Sequence, residues 1–197
     1  MEIDHDEITR LTEEYGGQWG INHTRRLLEL IAIIAEGMDY DREAIWLAAH
    51  LHDWGAYSAW AQKDVEHALR SRQVAEDFLT ERNCQESLKA LVLECIELHH
   101  VGGNLRSGGL QPGDNRSLES ILLRDADILD FLGPVGVLRD FSKNSRDLRK
   151  AYTITKQRRE NLPSLLSSDK AKEIARQRLI EMDNLLARFE SDSFGYF

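Results

Sequence analysis

A chain of 197 residues carrying 42% hydrophobic and 30% charged residues is long enough for one well-buried core, and its composition is that of an ordinary globular protein. The formal net charge of −9 excludes a general affinity for nucleic acid, because releasing counterions from phosphates needs a basic surface. The first ten residues hold four acidic side chains and no apolar run, and no stretch of about 18 apolar residues occurs, so neither a signal peptide nor a membrane span is expected.

In chain order, residues Asp4 to Tyr15 allow a short helix, which Gly16-Gly17 and Gly20 are expected to break. Asn22 is a candidate cap for a second helix with His23 in its first turn. Leu27, Leu28, Leu30, Ile31, Ile33 and Ile34 cover most of that helix's surface, which predicts deep burial, and Gly37 ends it. Asp41 is placed to cap a third helix that runs through Ile45 and Leu51 to the pair His52-Asp53, where Gly55 interrupts the pattern. Asp64 is the expected cap of a fourth helix through Leu69, Val74 and Phe78. A fifth runs from about Gln85 to His99-His100. The segment from Val101 to Asn115 holds five glycines and a proline, a density that predicts an irregular loop beside the paired histidines.

A sixth helix is expected from Ser117 to about Leu132, carrying Asp125, Asp127 and Asp130. Gly133-Pro134 separates it from a seventh that ends near Phe141, and Asp169 to Phe189 reads as one long amphipathic helix. No strand, internal repeat or low-complexity tract is evident. Cys84 and Cys95 form no CxxC pair and read as reduced core thiols. The expectation is an all-α, single-domain helical bundle in the cytoplasm.

Neutral imidazole and ionised carboxylate are ligands for a borderline or hard divalent cation, and a site rich in His and Asp but poor in thiolate is characteristically catalytic. An adjacent His-Asp pair at a helix end can turn both side chains inward where the helix unwinds. Taken alone, His52-Asp53 is weak evidence; its company is stronger. His23 at a helix start, His52-Asp53 after an apolar run, and Asp127 within Leu122-Leu123-Arg124-Asp125-Ala126-Asp127-Ile128-Leu129-Asp130 together resemble the HD superfamily of metal-dependent phosphohydrolases. The resemblance covers about residues 20 to 140. The stretch from Asp125 to Gly133, followed by Val135-Gly136-Val137-Leu138-Arg139, is similar to the small bacterial single-domain branch, leaving 141 to 197 as a helical extension.

The resemblance implies that His23, His52, Asp53 and Asp127 hold one divalent metal. His67 and the His99-His100 pair occupy the places that supply a second in dinuclear members, with Asp53 bridging. Of the pair, His100 is the preferred ligand and His99 a proton acceptor or donor, a role also open to Asp130. On a helical wheel Asp125 falls on the apolar arc, so the choice of Asp127 follows the family pattern, with Asp125 read as a structural carboxylate paired with an arginine. His50 reads as packing. Ala56 and Tyr57 stand where cyclic-dinucleotide and alarmone branches carry lysine and glutamate, which places the chain outside both.

The implied cofactor is one or two ions of Mn, Mg, Fe, Co, Ni or Zn. The implied activity is hydrolysis of a small anionic substrate, foremost a nucleotide, by metal-activated water. The rivals are a di-iron oxygenase of the same fold and a nucleotide-binding module without turnover. Arg26, Lys63, Arg139 and Lys143 are candidates to hold phosphate by charge. Assembly as a homodimer is open.

Overall fold

The computed structural model describes residues 3–99 and 116–197. The expected loop from Val101 to Asn115 and the expected ligand His100 lie outside the described residues. Among those described there are eight α-helices and no strand, so the all-α expectation holds. They are α1 (His5–Ile34), α2 (Arg42–Leu51), α3 (His67–Glu81), α4 (Glu86–Leu98), α5 (Leu118–Phe131), α6 (Pro134–Lys143), α7 (Leu148–Asn161) and α8 (Asp169–Asp192). One continuous apolar cluster, reaching from Ile8 through Leu27, Leu51, Trp54, Ile96 and Leu123 to Leu186, ties α1 to α8. No helix among the described residues is long and apolar enough to cross a membrane.

The expected break is found at Gly17, whose φ of 62° and ψ of −170° lie outside the helical region and in territory that glycine adopts without steric cost, so α1 is two helical segments meeting at a kink. Gly20 does not interrupt the second segment; with Gly16 it forms a notch for the phenol ring of Tyr57. A Cβ at either position would come within 2.5 Å of that ring or its hydroxyl. Asn22 therefore caps nothing, and His23 lies well inside the helix. Along α1 only one face is covered: Leu27, Leu30, Ile31 and Ile34 are buried, but Ile33 is 50% exposed.

Asp41 caps α2 as expected, its carboxylate accepting from the Ala44 amide at 2.9 Å. At α3 the cap is Glu66, which accepts from the Ala68 and Leu69 amides, and not Asp64, which takes a positive φ of 63° in the preceding turn. Ser117 caps α5. Helix α7 has no counterpart in the sequence reading; only Ala151 and Thr155 of it are buried, so its apolar periodicity is faint. Asp125 is wholly buried, and its oxygens accept from the Ser167 and Ser168 amides at 2.9 and 2.8 Å. The structural role stands, but its partners are the backbone at the start of α8 and not an arginine.

Candidate metal centre

Five helices and one turn bring the His/Asp set together. His52 is the C-cap of α2, and Asp53 follows with φ −104° and ψ 3°, so the chain unwinds there into a tight turn over Trp54–Ala56. That unwinding directs both side chains inward, as the adjacent pair requires. Trp54 is fully buried and its indole N–H donates to Thr12 Oγ1 on α1 at 3.0 Å. Gly55 fixes the other side of the turn. Its amide donates to Ser71 Oγ, and a Cβ there would strike the backbone of α3, so the turn packs directly against the helix that carries His67.

Three imidazoles are oriented in the same manner. The Nδ1–H of His52 donates to the Ala49 carbonyl at 2.9 Å, that of His99 to the Ile96 carbonyl at 2.5 Å, and that of His23 to Asp130 Oδ2 at 2.8 Å. With Nδ1 engaged as donor, each neutral ring carries its lone pair on Nε2, the tautomer that a metal ligand requires. His23 Nε2 and His52 Nε2 face each other at 3.3 Å. Asp53 Oδ2 lies 3.8 and 3.6 Å from them, and Asp127 Oδ1 is 3.3 Å from His23 Nε2.

Potential ligand atoms of His23, His52 and Asp53 lie within 4.8 Å of one another, and so do those of Asp53, His67 and His99. Asp53 belongs to both groups. The second group contains His99, where the sequence reading favoured His100. The capping position of His99 at the end of α4 brings it beside His52, with ring centroids 4.9 Å apart, while His100 lies outside the described residues. His67 is partly exposed, its Nδ1 2.8 Å from Glu66. His50 is buried against Trp46, away from this set.

The electrostatics match an assembly built for a cation. Burial alone would raise the Asp53 carboxyl, but His52, His23, His99 and His67 hold it well below the usual carboxylate range. Burial opposes charge on His23, yet hydrogen bonds to Asp127 and Asp130 outweigh it and lift this imidazole to about 9. His99 goes the other way, to about 4, because burial and the neighbouring His52 disfavour a second positive charge. The donor set thus fits a divalent metal: buried imidazole lone pairs and ionised carboxylates converge on one spot.

Asp130 and the basic residues sit behind His23. Asp130 is buried and accepts from His23, from Arg26 Nε and Nη2 at 2.6 and 3.0 Å, and from Arg139 Nη1. Its carboxyl is held far below the usual range, by His23 and Arg26 against the opposing effect of burial. The Arg139 guanidinium lies over the rings of Trp19 and Phe131, and Lys143 Nζ is 4.2 Å from the Trp19 centroid. Lys63, in the turn before α3, is exposed. Arg158, from the locally basic stretch Lys156 to Arg159, also lies over Phe131. Sequence reasoning missed Trp19, for which the spacing four residues before His23 was the available signal.

The HD domain family matches residues 20–132. No match was found among curated proteins. Among solved structures, a predicted HD superfamily hydrolase from an uncultured Thermotogales bacterium is similar at 24% identity and a TM-score of 0.65, covering 95% of this chain and 91% of that one. YpgQ of Bacillus subtilis, solved in complex with ADP, is 20% identical with a TM-score of 0.69, covering 95% and 94%. An HD-superfamily hydrolase from Bacillus thuringiensis is 21% identical with a TM-score of 0.68, covering 95% of each chain. With more than half of its length matched and the His/Asp set inside the matched span, the chain belongs to the HD domain family.

Proposed function

We propose that this protein is a metal-dependent phosphohydrolase acting on a small phosphorylated substrate, a nucleotide foremost. The observation that carries the reading is Asp53 shared by two groups of inward-facing imidazoles. Membership of the HD domain family supports it, and the ADP bound to the similar YpgQ supports a nucleotide-like ligand. His23, His52, Asp53 and Asp127 would hold one divalent ion, and Asp53, His67 and His99 a second. Such ions, when bound, act as Lewis acids toward a phosphoryl oxygen and lower the pKa of water.

The chain's own residues supply orientation and charge. Asp130 accepts the Nδ1 proton of His23 and keeps Nε2 facing inward; with three donors already on it, it is a positioning residue and not the proton carrier expected from sequence. His99 has the same tautomer and surroundings as His52, so it too is assigned as a ligand and not a proton carrier. Arg26, half-exposed and bidentate on Asp130, braces the same carboxylate, and Arg139 and Lys143 are left to attract the anion.

The test is phosphate release from a panel of nucleoside mono-, di- and triphosphates with Mn, Mg, Co, Ni, Zn or Fe(II) added, and oxygen uptake followed in parallel. Release that stops in Asp53→Ala is the expected result. Oxygen consumption without phosphate release would replace the reading by a di-iron oxygenase; nucleotide binding with neither would replace it by a sensor module.

A further inference from the structure

The two nitrogens of His23 divide the surrounding charges into two sets. Asp53 and Asp127 face Nε2 and are committed to the cation. On the Nδ1 side, among the described residues, two carboxylates stand beside four cations: Asp130 pairs with Arg26 and Arg139, Asp140 with Arg158, and Lys143 makes no ion pair. Arg139 stands in the middle of this group, sharing the Trp19 ring with Lys143 and the Phe131 ring with Arg158. A protein of net charge −9 thus concentrates surplus positive charge beside its metal centre.

Arg139 is 8% exposed, and only its Nη1 is hydrogen-bonded; Nε and Nη2 are buried without a partner. Those two nitrogens form one edge of the guanidinium, the fork that matches two oxygens of a phosphate or carboxylate. Two buried donors of a fixed charge left unpaired are unfavourable and call for a group that completes them. The groups packed on the guanidinium lie toward solvent: Trp19, over whose ring it sits, is 39% exposed, Lys143 on the same ring is exposed, and among the described residues neither side chain is hydrogen-bonded.

We infer that Arg139, with Lys143 and Arg158, forms an oxyanion site that receives a phosphoryl group of the substrate on its Nε/Nη2 edge. The same guanidinium holds Asp130 behind His23, so one residue joins the anion site to the metal centre. The identity of the anion as the substrate's phosphoryl group rests on the hydrolase reading; binding itself needs no turnover and no metal.

Titration of the full-length, metal-stripped protein with inorganic phosphate, by calorimetry and by tryptophan fluorescence, tests this. The wild type is expected to bind and to change its fluorescence, and Trp19→Phe to bind with that change lost. Arg139→Lys keeps the charge but loses the fork, and is expected to weaken binding by about tenfold or more, with Lys143→Gln weakening it several-fold. Lys143 is exposed, so Lys143→Gln decides the matter if Arg139→Lys fails to fold. Absence of phosphate binding by the wild type, or wild-type affinity in both variants, would overturn the inference. Phosphate binding through Arg139 without any nucleotide hydrolysis would overturn the hydrolase reading and leave the anion site standing; hydrolysis without phosphate binding by the metal-free protein would do the reverse.

Discussion

At His23 a single side chain connects three functions: Nε2 faces the metal set, Nδ1 is fixed by Asp130, and Asp130 is fixed in turn by Arg26 and Arg139. A carboxylate behind a ligating imidazole sets its tautomer and raises its basicity, and such partners are worth about 10- to 100-fold in metal affinity. Asp130→Asn is therefore expected to weaken Mn binding by about that factor in calorimetry, with the helical content unchanged; unaltered affinity would show that His23 needs no such support. The same geometry fixes a pH dependence. The metal-free His23 titrates near 9, above its ordinary 6.5, so below 9 an entering cation must displace a proton. Metal affinity should rise with pH up to about 9, and calorimetry in buffers of different ionisation enthalpy should detect the released proton. For the metal-free fold the sign is opposite. A raised pKa contributes stability that is fully present below 6.5 and lost as pH rises through 9, a loss that His23→Gln should abolish.

At the scale of elements, the turn carrying His52-Asp53 is clamped between α1 and α3, and glycines permit both contacts. Gly20 approaches the Tyr57 hydroxyl, while Gly16 approaches the ring carbon that bears it. Gly20→Ala should destabilise by about 1–3 kcal/mol through overpacking, with Tyr57→Phe restoring most of the loss. Gly16→Ala should not be rescued in this way, because the ring itself is in the way; denaturant unfolding of the single and double variants measures the difference. Of these glycines, the break at Gly16-Gly17 was legible, because a glycine pair in a helical pattern signals one locally, and Gly17 is non-helical. The place of Gly20 was not, since only the tertiary partner Tyr57 reveals a notch. The cap at Asp41 was legible because a short polar side chain before an apolar run bonds its own helix, and the start of α5 at Ser117 was legible too. Glu66 was not, since glutamate is an uncommon cap and Asp64 stood nearby. The His52-Asp53 turn was legible from adjacency and from the family resemblance. The grouping of His99 with Asp53 and His67 was not, because the side to which a helix-end residue turns depends on where the last turn unwinds.

For the whole molecule, the C-terminal helices are bound to the helix that bears Asp127. Asp125, two residues earlier, holds the backbone at the start of α8, and Arg178 of α8 donates to the Leu129 carbonyl at 2.6 Å. Removing the buried carboxylate leaves two partly buried amides without their acceptor, so Asp125→Ala should cost about 1–3 kcal/mol of stability while metal content stays at the wild-type level. A parallel loss of metal would mean that the neighbouring carboxylates had been assigned to each other's roles. The account as a whole depends on a metal held by the imidazoles and carboxylates of α1, α2 and α5. The most direct measurement is elemental analysis of protein purified without added metal, for the wild type, His52→Ala and Asp53→Ala. A transition metal bound to the wild type and lost from both variants is the expected result; metal retained in both at the wild-type level would contradict it.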